Sequence, residues 1–258
     1  SLLHSFYCWG HVAVVLFSTL FFKLCGIDHW KVMALIWAAL PIINGLVFCK
    51  VPIASLIEEG ETGMTLGELC RNKIFWILML MMLCAGASEQ AVSQWASTFA
   101  EKGLGVTKTI GDLAGPMAFA ILMGSARAFY GKFGDKINLD QFMIGSSALC
   151  ILSYLTISLS ASPLIALIGC SICGLSVGIM WPGTFSKASA SRNGGTALFA
   201  LLALAGDAGC SGGPTLVGFV SDIASENLKM GILAGVIFPV LLVVSILLLR
   251  TVRENRKD

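Results

Sequence analysis

The sequence predicts an all-α, polytopic membrane protein that folds as a bundle of about eight transmembrane helices. Hydrophobic residues make up 56% of the 258 residues and charged residues only 12%, whereas a soluble domain has roughly 25% charged residues. The apolar residues form runs of about 17 to 25 residues, the length that crosses roughly 30 Å of hydrocarbon. These runs lack the period-2 alternation of barrel strands, so a helical bundle remains as the way to satisfy backbone groups in lipid.

The charges between the apolar runs predict the topology. The predicted spans are 8–24, 32–49, 74–99, 108–130, 139–158, 163–186, 194–220 and 229–250. An even number of spans puts both termini on one side of the membrane. Twelve of the 17 Lys and Arg residues fall on that side and the other five on the opposite side. By the positive-inside rule, both termini and the 50–73 segment are predicted to be cytoplasmic, in a plasma (inner) membrane.

The third predicted span carries a polar stripe after an apolar first half. The stripe consists of Ser88, Glu89, Gln90, Ser93, Gln94, Trp95, Ser97 and Thr98. At helical spacing Glu89, Ser93 and Ser97 share one face, with the glutamines beside it. A charge at bilayer depth is costly, so we expect the stripe to face a cavity or to pair with another helix. Amides and hydroxyls beside an indole suit a sugar; the alternative is a helix interface whose polar groups satisfy one another.

Two further spans carry isolated polar residues. Asp207 lies near the centre of the seventh predicted span, between Gly206 and Gly209. We expect it to be a buried carboxylate that is neutral or paired, because desolvation disfavours the ionised form. It is thus a candidate proton carrier, and the alternative is a neutral acid bonded to backbone that the glycines open. Asn44 in the second span is another polar candidate.

A motif between the fourth and fifth predicted spans carries a family resemblance. It reads Gly131, Lys132, Phe133, Gly134, Asp135, Lys136, with Arg127 one turn earlier. This resembles the loop signature of the major facilitator superfamily, in which Gly, three residues, Asp and a basic residue recur between helices eight and nine. The resemblance implies a cytoplasmic gating loop made by Arg127, Gly131, Asp135 and Lys136. We expect Arg127 to snorkel or to pair with Asp135; the alternative is an ordinary positive loop with turn glycines.

A second resemblance concerns residues 2–10, which read LLHSFYCWG. They look like the opening of the fifth helix in fucose and related sugar permeases of that superfamily. This implies a monomeric symporter that takes up a sugar with a proton by alternating access. The predicted solute pathway is Glu89, Gln90, Ser93, Gln94, Trp95 and Asn44, and the predicted proton or polar network is Glu89 with Asp207.

The 50–73 segment is the longest polar stretch and predicts the domain organisation. Two spans precede it and six follow. A transporter of two six-helix halves has its longest cytoplasmic loop in the middle, so the chain fits helices five to twelve, N-terminally truncated. Residues 1–49 are then the last two helices of the N-terminal bundle, 50–73 the central cytoplasmic linker, and 74–258 the C-terminal six-helix bundle with a cytoplasmic tail. Thr65 and Glu68 resemble a capping box that starts a short helix in the linker.

Small residues predict how the helices meet. Glycines four residues apart, which allow backbones to approach closely, occur at Gly111 and Gly115, Gly174 and Gly178, Gly209 and Gly213, and Gly231 and Gly235. Trp181 and Pro182 are predicted to end the sixth span, and residues 212–214 to interrupt the seventh. Interrupted helices often border transport sites, although packing is the simpler interpretation for each.

Other function classes lack support in the sequence. Neither HExxH nor a Gly-rich phosphate loop followed by Lys and Ser or Thr occurs, so we expect no enzyme and no ATP-driven pump. The nine cysteines lie mostly in apolar runs, and Cys170 with Cys173 lacks a second ligand pair, so we expect no disulfides, metal or cofactor. Nucleic acid is not an expected partner. The alternatives are a drug or metabolite exporter of the same fold, a non-transporting receptor or scaffold, and an incomplete, inactive fragment.

Overall fold

The computed structural model describes residues 2–52, 64–103, 105–189 and 195–255. Across these residues it is helical without strands, and eight helices are long and apolar enough to cross a membrane, which confirms the predicted number. The first to eighth spans are Leu2–Cys25, Ile27–Phe48, Lys73–Lys102, Lys108–Lys136, Leu139–Leu159, Pro163–Ser189, Gly195–Ile223 and Leu228–Glu254.

Several spans change helix type along their length. The second opens with the 3₁₀ turn Ile27–His29 before Trp30–Phe48. The third comprises Lys73–Ser93, the short turn Ala96–Thr98 and the π-helix Phe99–Gly103. The fourth comprises Lys108–Asp112, the π-helix Leu113–Met117, Ala118–Phe133 and the 3₁₀ turn Gly134–Lys136. The sixth divides into Pro163–Val177 and Met180–Ser189, and the eighth into Leu228–Ala234 and Ile237–Glu254.

The predicted end of the sixth span and the predicted interruption of the seventh span are both wrong. The break in the sixth span falls at Gly178, so Trp181 and Pro182 begin its second half and do not end the span. A proline in the first turn of a helix costs little because its missing N–H has no helical partner there. The seventh span is continuous through Pro214. Packing against neighbouring spans makes such a proline tolerable in a membrane helix.

The third span is the centre of the bundle. It packs on the sixth, seventh and eighth spans, while the fourth packs on the first and sixth and the fifth on the sixth and eighth. The predicted small-residue contacts are confirmed at these crossings. A Cβ added at Gly209 would lie 2.0 Å from the Leu83 carbonyl oxygen, and one at Gly174 would lie 2.2 Å from the Phe119 carbonyl oxygen. The helix backbones therefore touch directly.

The predicted capping box is also confirmed, and it starts the linker helix Leu66–Arg71. The Thr65 backbone N–H donates to Glu68 Oε2 at 2.8 Å, and the Glu68 N–H donates to Thr65 Oγ1 at 3.4 Å. Because the Thr65 N–H, and after it the Thr65 hydroxyl, bond the ionised carboxylate, the pKa of Glu68 is lowered from its ordinary value. Residues 53–63 of the predicted linker lie outside the described residues.

The loop motif between the fourth and fifth spans turns later than expected. Gly131 is still inside the helix Ala118–Phe133 and packs against Leu2, while Gly134, Asp135 and Lys136 form the turn. Asn138 caps the fifth span: its Oδ1 accepts the Gln141 N–H at 3.1 Å. Asn138 therefore stabilises the start of the next helix.

A buried lysine joins three spans at the end of the bundle that adjoins the linker helix. Lys187 of the sixth span pairs with Asp140 of the fifth, and Arg253 of the eighth donates to the Lys187 carbonyl at 2.9 Å. The Lys187 side chain is 6% exposed and that of Asp140 38% exposed. The ammonium therefore depends on this carboxylate for compensation of its buried charge.

We expect Asp140→Asn to lower the free energy of unfolding by about 1–2 kcal/mol, because it leaves a buried ammonium uncompensated while solvent screens part of the loss. The matched control is Asp135→Asn, an equivalent change at an exposed residue of the preceding turn, which should change stability by less than about 0.5 kcal/mol. Thermal unfolding in detergent measures both. Equal destabilisation by the two variants would contradict the assignment of Asp140 as the partner that matters.

Candidate functional site

A buried ion pair lies between the third and fourth spans. Arg127 Nη2 donates to Glu89 Oε2 at 2.7 Å, and the two side chains are 4% and 7% exposed. Arg127 also donates through Nε to the Gly178 carbonyl at 3.1 Å and through Nη1 to the His4 carbonyl at 3.2 Å. One guanidinium of the fourth span thus binds the first, third and sixth spans. The expected pairing of Arg127 with Asp135 is wrong, because Arg127 lies inside the bundle and not at its end.

Local backbone features make this ion pair possible. The sixth span breaks at Gly178, and a helix break leaves carbonyls without intrahelical partners. The Gly178 carbonyl accepts from Arg127 at that point. A Cβ at Gly178 would lie 2.8 Å from the Ala126 Cβ, so glycine also lets the sixth span approach the helix that carries Arg127. The sequence thereby brings a donor-rich side chain and a free acceptor together.

The ion pair borders a cavity of about 240 Å³, here called the central cavity. Its lining consists of His4, Tyr7, Glu89, Gln90, Arg127, Trp181, Asp207 and Cys210. The first, third, fourth, sixth and seventh spans all contribute to it. The Arg127 guanidinium lies 5.6 Å from the centre of the Tyr7 ring, so an aromatic face covers part of the cation.

Asp207 lines the central cavity but is exposed, so the expectation of a buried carboxylate is wrong. The glycines beside it explain the difference. A Cβ at Gly206 would lie 2.2 Å from the Trp181 ring, and Gly209 lies against Leu83 of the third span. These glycines occupy the packed face of the seventh span, and Asp207 is turned away from it by the helical rotation. Glu89 and Asp207 thus face the same cavity from different spans.

A second, more open cavity of about 680 Å³ adjoins the central one and is here called the lateral cavity. Its polar lining consists of Tyr7, His11, Gln90, Ser93, Gln94 and Ser97. Tyr7 and Gln90 line both cavities, and the Gln90 amide donates to the Tyr7 hydroxyl at 3.4 Å. The polar stripe of the third span is therefore divided: Glu89 faces the central cavity, and Ser93, Gln94 and Ser97 face the lateral cavity.

Other predicted site residues lie apart from these cavities. Trp95 donates its indole N–H to the Pro214 carbonyl at 3.1 Å and packs on Gly218, so it joins the third and seventh spans. Asn44 is exposed on the second span and is not among the residues that line either cavity. Gly131, Asp135 and Lys136 lie at the end of the fourth span. The structure does not bring these residues together with Glu89.

Sequence reasoning missed the contribution of the first span. His4 and Tyr7 line the central cavity, and Tyr7 and His11 line the lateral cavity. The spacing i, i+3, i+7 puts the three residues on one helical face, which is the signal that would have found them.

Asp112 of the fourth span was also missed; it accepts a hydrogen bond from Ser97 and lies 3.5 Å from Lys108 Nζ.

The described residues contain no cluster of three or more His, Cys, Asp or Glu side chains arranged to hold a metal ion. The groups that line the two cavities offer hydrogen bonds, one ion pair and an additional carboxylate. Such groups bind a polar solute or exchange a proton inside a membrane bundle.

Comparison with known proteins agrees with this architecture. No curated protein matches the chain. The family model described as Major Facilitator Superfamily matches residues 1–214. The match covers most of the 258 residues, and eight apolar helices make the chain a multi-pass membrane protein. This chain belongs to the Major Facilitator Superfamily, a family of membrane transporters.

Proposed function

We propose that this membrane transporter is a secondary active transporter that moves a small polar solute, with a sugar favoured, by proton symport and alternating access. The observation that carries the proposal is the central cavity, where Glu89, Arg127 and Asp207 meet inside the membrane spans. Ionisable groups at that depth are costly and mark proton or solute pathways in membrane bundles.

The Glu89–Arg127 pair suggests how proton binding leads to movement. Arg127 of the fourth span holds the third span through Glu89, the sixth through the Gly178 carbonyl and the first through the His4 carbonyl. A proton on Glu89 removes the charge that attracts the guanidinium and weakens only the bond to the third span. Asp207, across the cavity, supplies a second carboxylate that can receive the proton. Protonation of Glu89 thereby determines which helices Arg127 holds together.

The nature of the solute is inferred from the uncharged part of the polar stripe. Gln90, Ser93 and Gln94 offer amide and hydroxyl groups that both donate and accept hydrogen bonds, as sugar hydroxyls require. A transporter of lipophilic cations would instead favour an apolar, aromatic lining. The hydrogen-bonding groups of Gln90, Ser93 and Gln94 argue against that alternative.

The proposed orientation follows from the distribution of basic residues. With Arg127 moved from the loop count into the bundle, eleven basic residues remain on the side of the termini and five on the other. By the positive-inside rule both described termini and the linker helix are cytoplasmic, in a plasma (inner) membrane. We propose a monomer as the transporting unit.

Uptake into proteoliposomes tests the proposal. The full chain is reconstituted, a proton gradient is imposed, and uptake of a radiolabelled neutral hexose is measured. We expect the gradient to drive uptake and Asp207→Asn to reduce that uptake about tenfold or more, since a titratable carboxylate is lost. The control is Asp222→Asn, the same change at the exposed far end of the seventh span, which should leave uptake within about twofold.

Two results would contradict the proposal. One is hexose uptake that is indifferent to collapse of the proton gradient, which would remove proton symport. The other is uptake of an amphipathic cation in place of the hexose, which would favour the exporter of the same fold.

A further inference from the structure

We propose that the two cavities divide the work: a neutral, polyhydroxylated solute binds in the lateral cavity, while the central cavity holds only the coupling charge. This inference rests on the proposed function and adds where the solute binds and which of its chemical groups are recognised. It also assigns solute-binding roles to His11 and Tyr7 of the first span.

The distribution of charge separates the cavities. Glu89, Arg127 and Asp207 all line the central cavity, whereas none of the described residues that line the lateral cavity is an Asp, Glu, Lys or Arg. A charged solute in the lateral cavity would lose hydration without gaining a counter-charge, which is costly. A neutral solute does not incur that cost.

The polar groups of the lateral cavity define the neutral solute further. Two amides, two hydroxyls and an imidazole come from Gln90, Gln94, Ser93, Ser97 and His11. Ser97 donates to Asp112 and Gln90 donates to Tyr7. A lipophilic solute would offer no partner to the remaining polar groups of this lining, at a cost for each desolvated group. Most of them both donate and accept hydrogen bonds. A ring that carries several hydroxyls satisfies them, and the Tyr7 ring offers an apolar surface for the face of such a ring.

The sizes of the cavities agree with this division. Sites for small molecules commonly have volumes of roughly 300 to 1,000 Å³. The lateral cavity, at about 680 Å³, falls within that range, whereas the central cavity, at about 240 Å³, falls below it. The lateral cavity therefore has the usual size of a small-molecule site, whereas the smaller central cavity is sufficient for a proton and its acceptors.

The backbone around the lateral cavity is unusual for a packed bundle. The third span leaves regular helix after Ser93 and continues as the π-helix Phe99–Gly103, and the fourth contains the π-helix Leu113–Met117 with Pro116. Pro116 itself lines the lateral cavity. Such π-segments occur frequently at functional sites, and the one in the fourth span contributes to the lining of the proposed solute site.

The hydrogen bond from Gln90 to Tyr7 joins the two cavities. Gln90 is adjacent in sequence to Glu89, so a movement of Glu89 towards or away from Arg127 displaces Gln90 as well. A solute that engages Gln90 or Tyr7 from the lateral side competes for that hydrogen bond. Solute binding and proton binding thereby act on neighbouring residues of one helix, which provides the coupling that symport needs.

Equilibrium binding distinguishes the cavities. The dissociation constant of a neutral hexose is measured by titration calorimetry on the full chain in detergent, for Gln94→Leu and Asp207→Asn. We expect Gln94→Leu to raise the dissociation constant about tenfold, because one or two hydrogen bonds are lost. We expect Asp207→Asn to change the dissociation constant less than about threefold. A uronic acid and an amino sugar of the same ring should bind at least about tenfold more weakly than the hexose.

Chemical labelling provides a second measurement that does not depend on transport. Cys25, Cys49 and Cys70 are the exposed cysteines and are replaced by Ser, which leaves Cys210 as the partly exposed thiol in the central cavity. The variant Gln94→Cys is then compared with this parent, using a methanethiosulfonate reagent with and without saturating hexose. We expect hexose to slow modification at position 94 about tenfold and at Cys210 less than about twofold.

The outcomes separate this inference from the proposed function. Hexose that protects Cys210 but not position 94, or binding weakened by Asp207→Asn but not by Gln94→Leu, would overturn the division of the cavities even if proton-driven uptake is observed. Hexose binding with the expected pattern but without any uptake would uphold the lateral site and overturn the transport proposal.

Discussion

Gly209→Ala is expected to disrupt the contact between the third and seventh spans and to lower the free energy of unfolding by about 3 kcal/mol. A methyl group at this position would lie 2.0 Å from the Leu83 carbonyl oxygen and 2.8 Å from the Leu83 carbonyl carbon. Both are backbone atoms of the span around which the bundle packs, so no side-chain rotation relieves the clash. The two helices must separate, and the packed residues along their interface lose contacts.

Gly212→Ala is the matched control, because it makes the same change on the same helix. Gly212 has no atom within 4 Å of an added Cβ, so the substitution should be neutral or stabilising by up to about 1 kcal/mol, the difference in helix propensity. Thermal unfolding of the two variants in detergent measures the contrast. If Gly209→Ala and Gly212→Ala unfold at the same temperature, the helices are not in backbone contact at Gly209.

These glycines also show what the sequence can predict. A spacing of four places Gly209 and Gly213 on one face of a helix, and that face can be recognised from periodicity alone. The partner of the face cannot, because Leu83 and Ala87 lie more than a hundred residues away along the chain. The number of spans, the capping box at Thr65 and the polar face of the third span are likewise local patterns, and the structure has all three.

The site was harder to predict because its geometry depends on contacts between distant segments. Arg127 was expected to act at the end of its span on the basis of the neighbouring loop motif. Its charged partner Glu89 is 38 residues away, and two further acceptors are backbone carbonyls, which no residue type reveals. Asp207 was expected to be buried because it lies near the centre of an apolar span, yet the glycines beside it define the packed face and leave Asp207 on the open one.

The second large expected effect on stability comes from breaking the Glu89–Arg127 pair. Breaking this pair is also expected to have the largest effect on transport. Arg127→Met leaves the Glu89 carboxylate buried without its counter-charge and should lower the free energy of unfolding by about 3 kcal/mol or more. Glu89→Gln should cost less, because the amide oxygen still accepts a hydrogen bond and the carbonyls of His4 and Gly178 still bind the guanidinium. Both variants should lose proton-driven hexose uptake, since neither retains the titrating pair.

A double-mutant cycle measures the pair itself. We expect Glu89→Gln with Arg127→Met to recover part of the lost stability, with an interaction energy of about 2 kcal/mol. The control cycle uses Arg250 and Glu254, an i, i+4 pair whose side chains are 64% and 63% exposed, and it should give less than about 0.5 kcal/mol. An interaction energy at Glu89–Arg127 no larger than that of the exposed pair would contradict the geometry.

The double variant also separates structure from coupling. If the pair only holds the helices together, restoring stability in the double variant should restore uptake in proportion. If Glu89 titrates during transport, a stable double variant remains unable to use the proton gradient, because the group that binds the proton is absent. Uptake measured at equal amounts of folded protein distinguishes the two cases, and we expect the second. Restored proton-driven uptake in the double variant would limit the Glu89–Arg127 pair to a structural role.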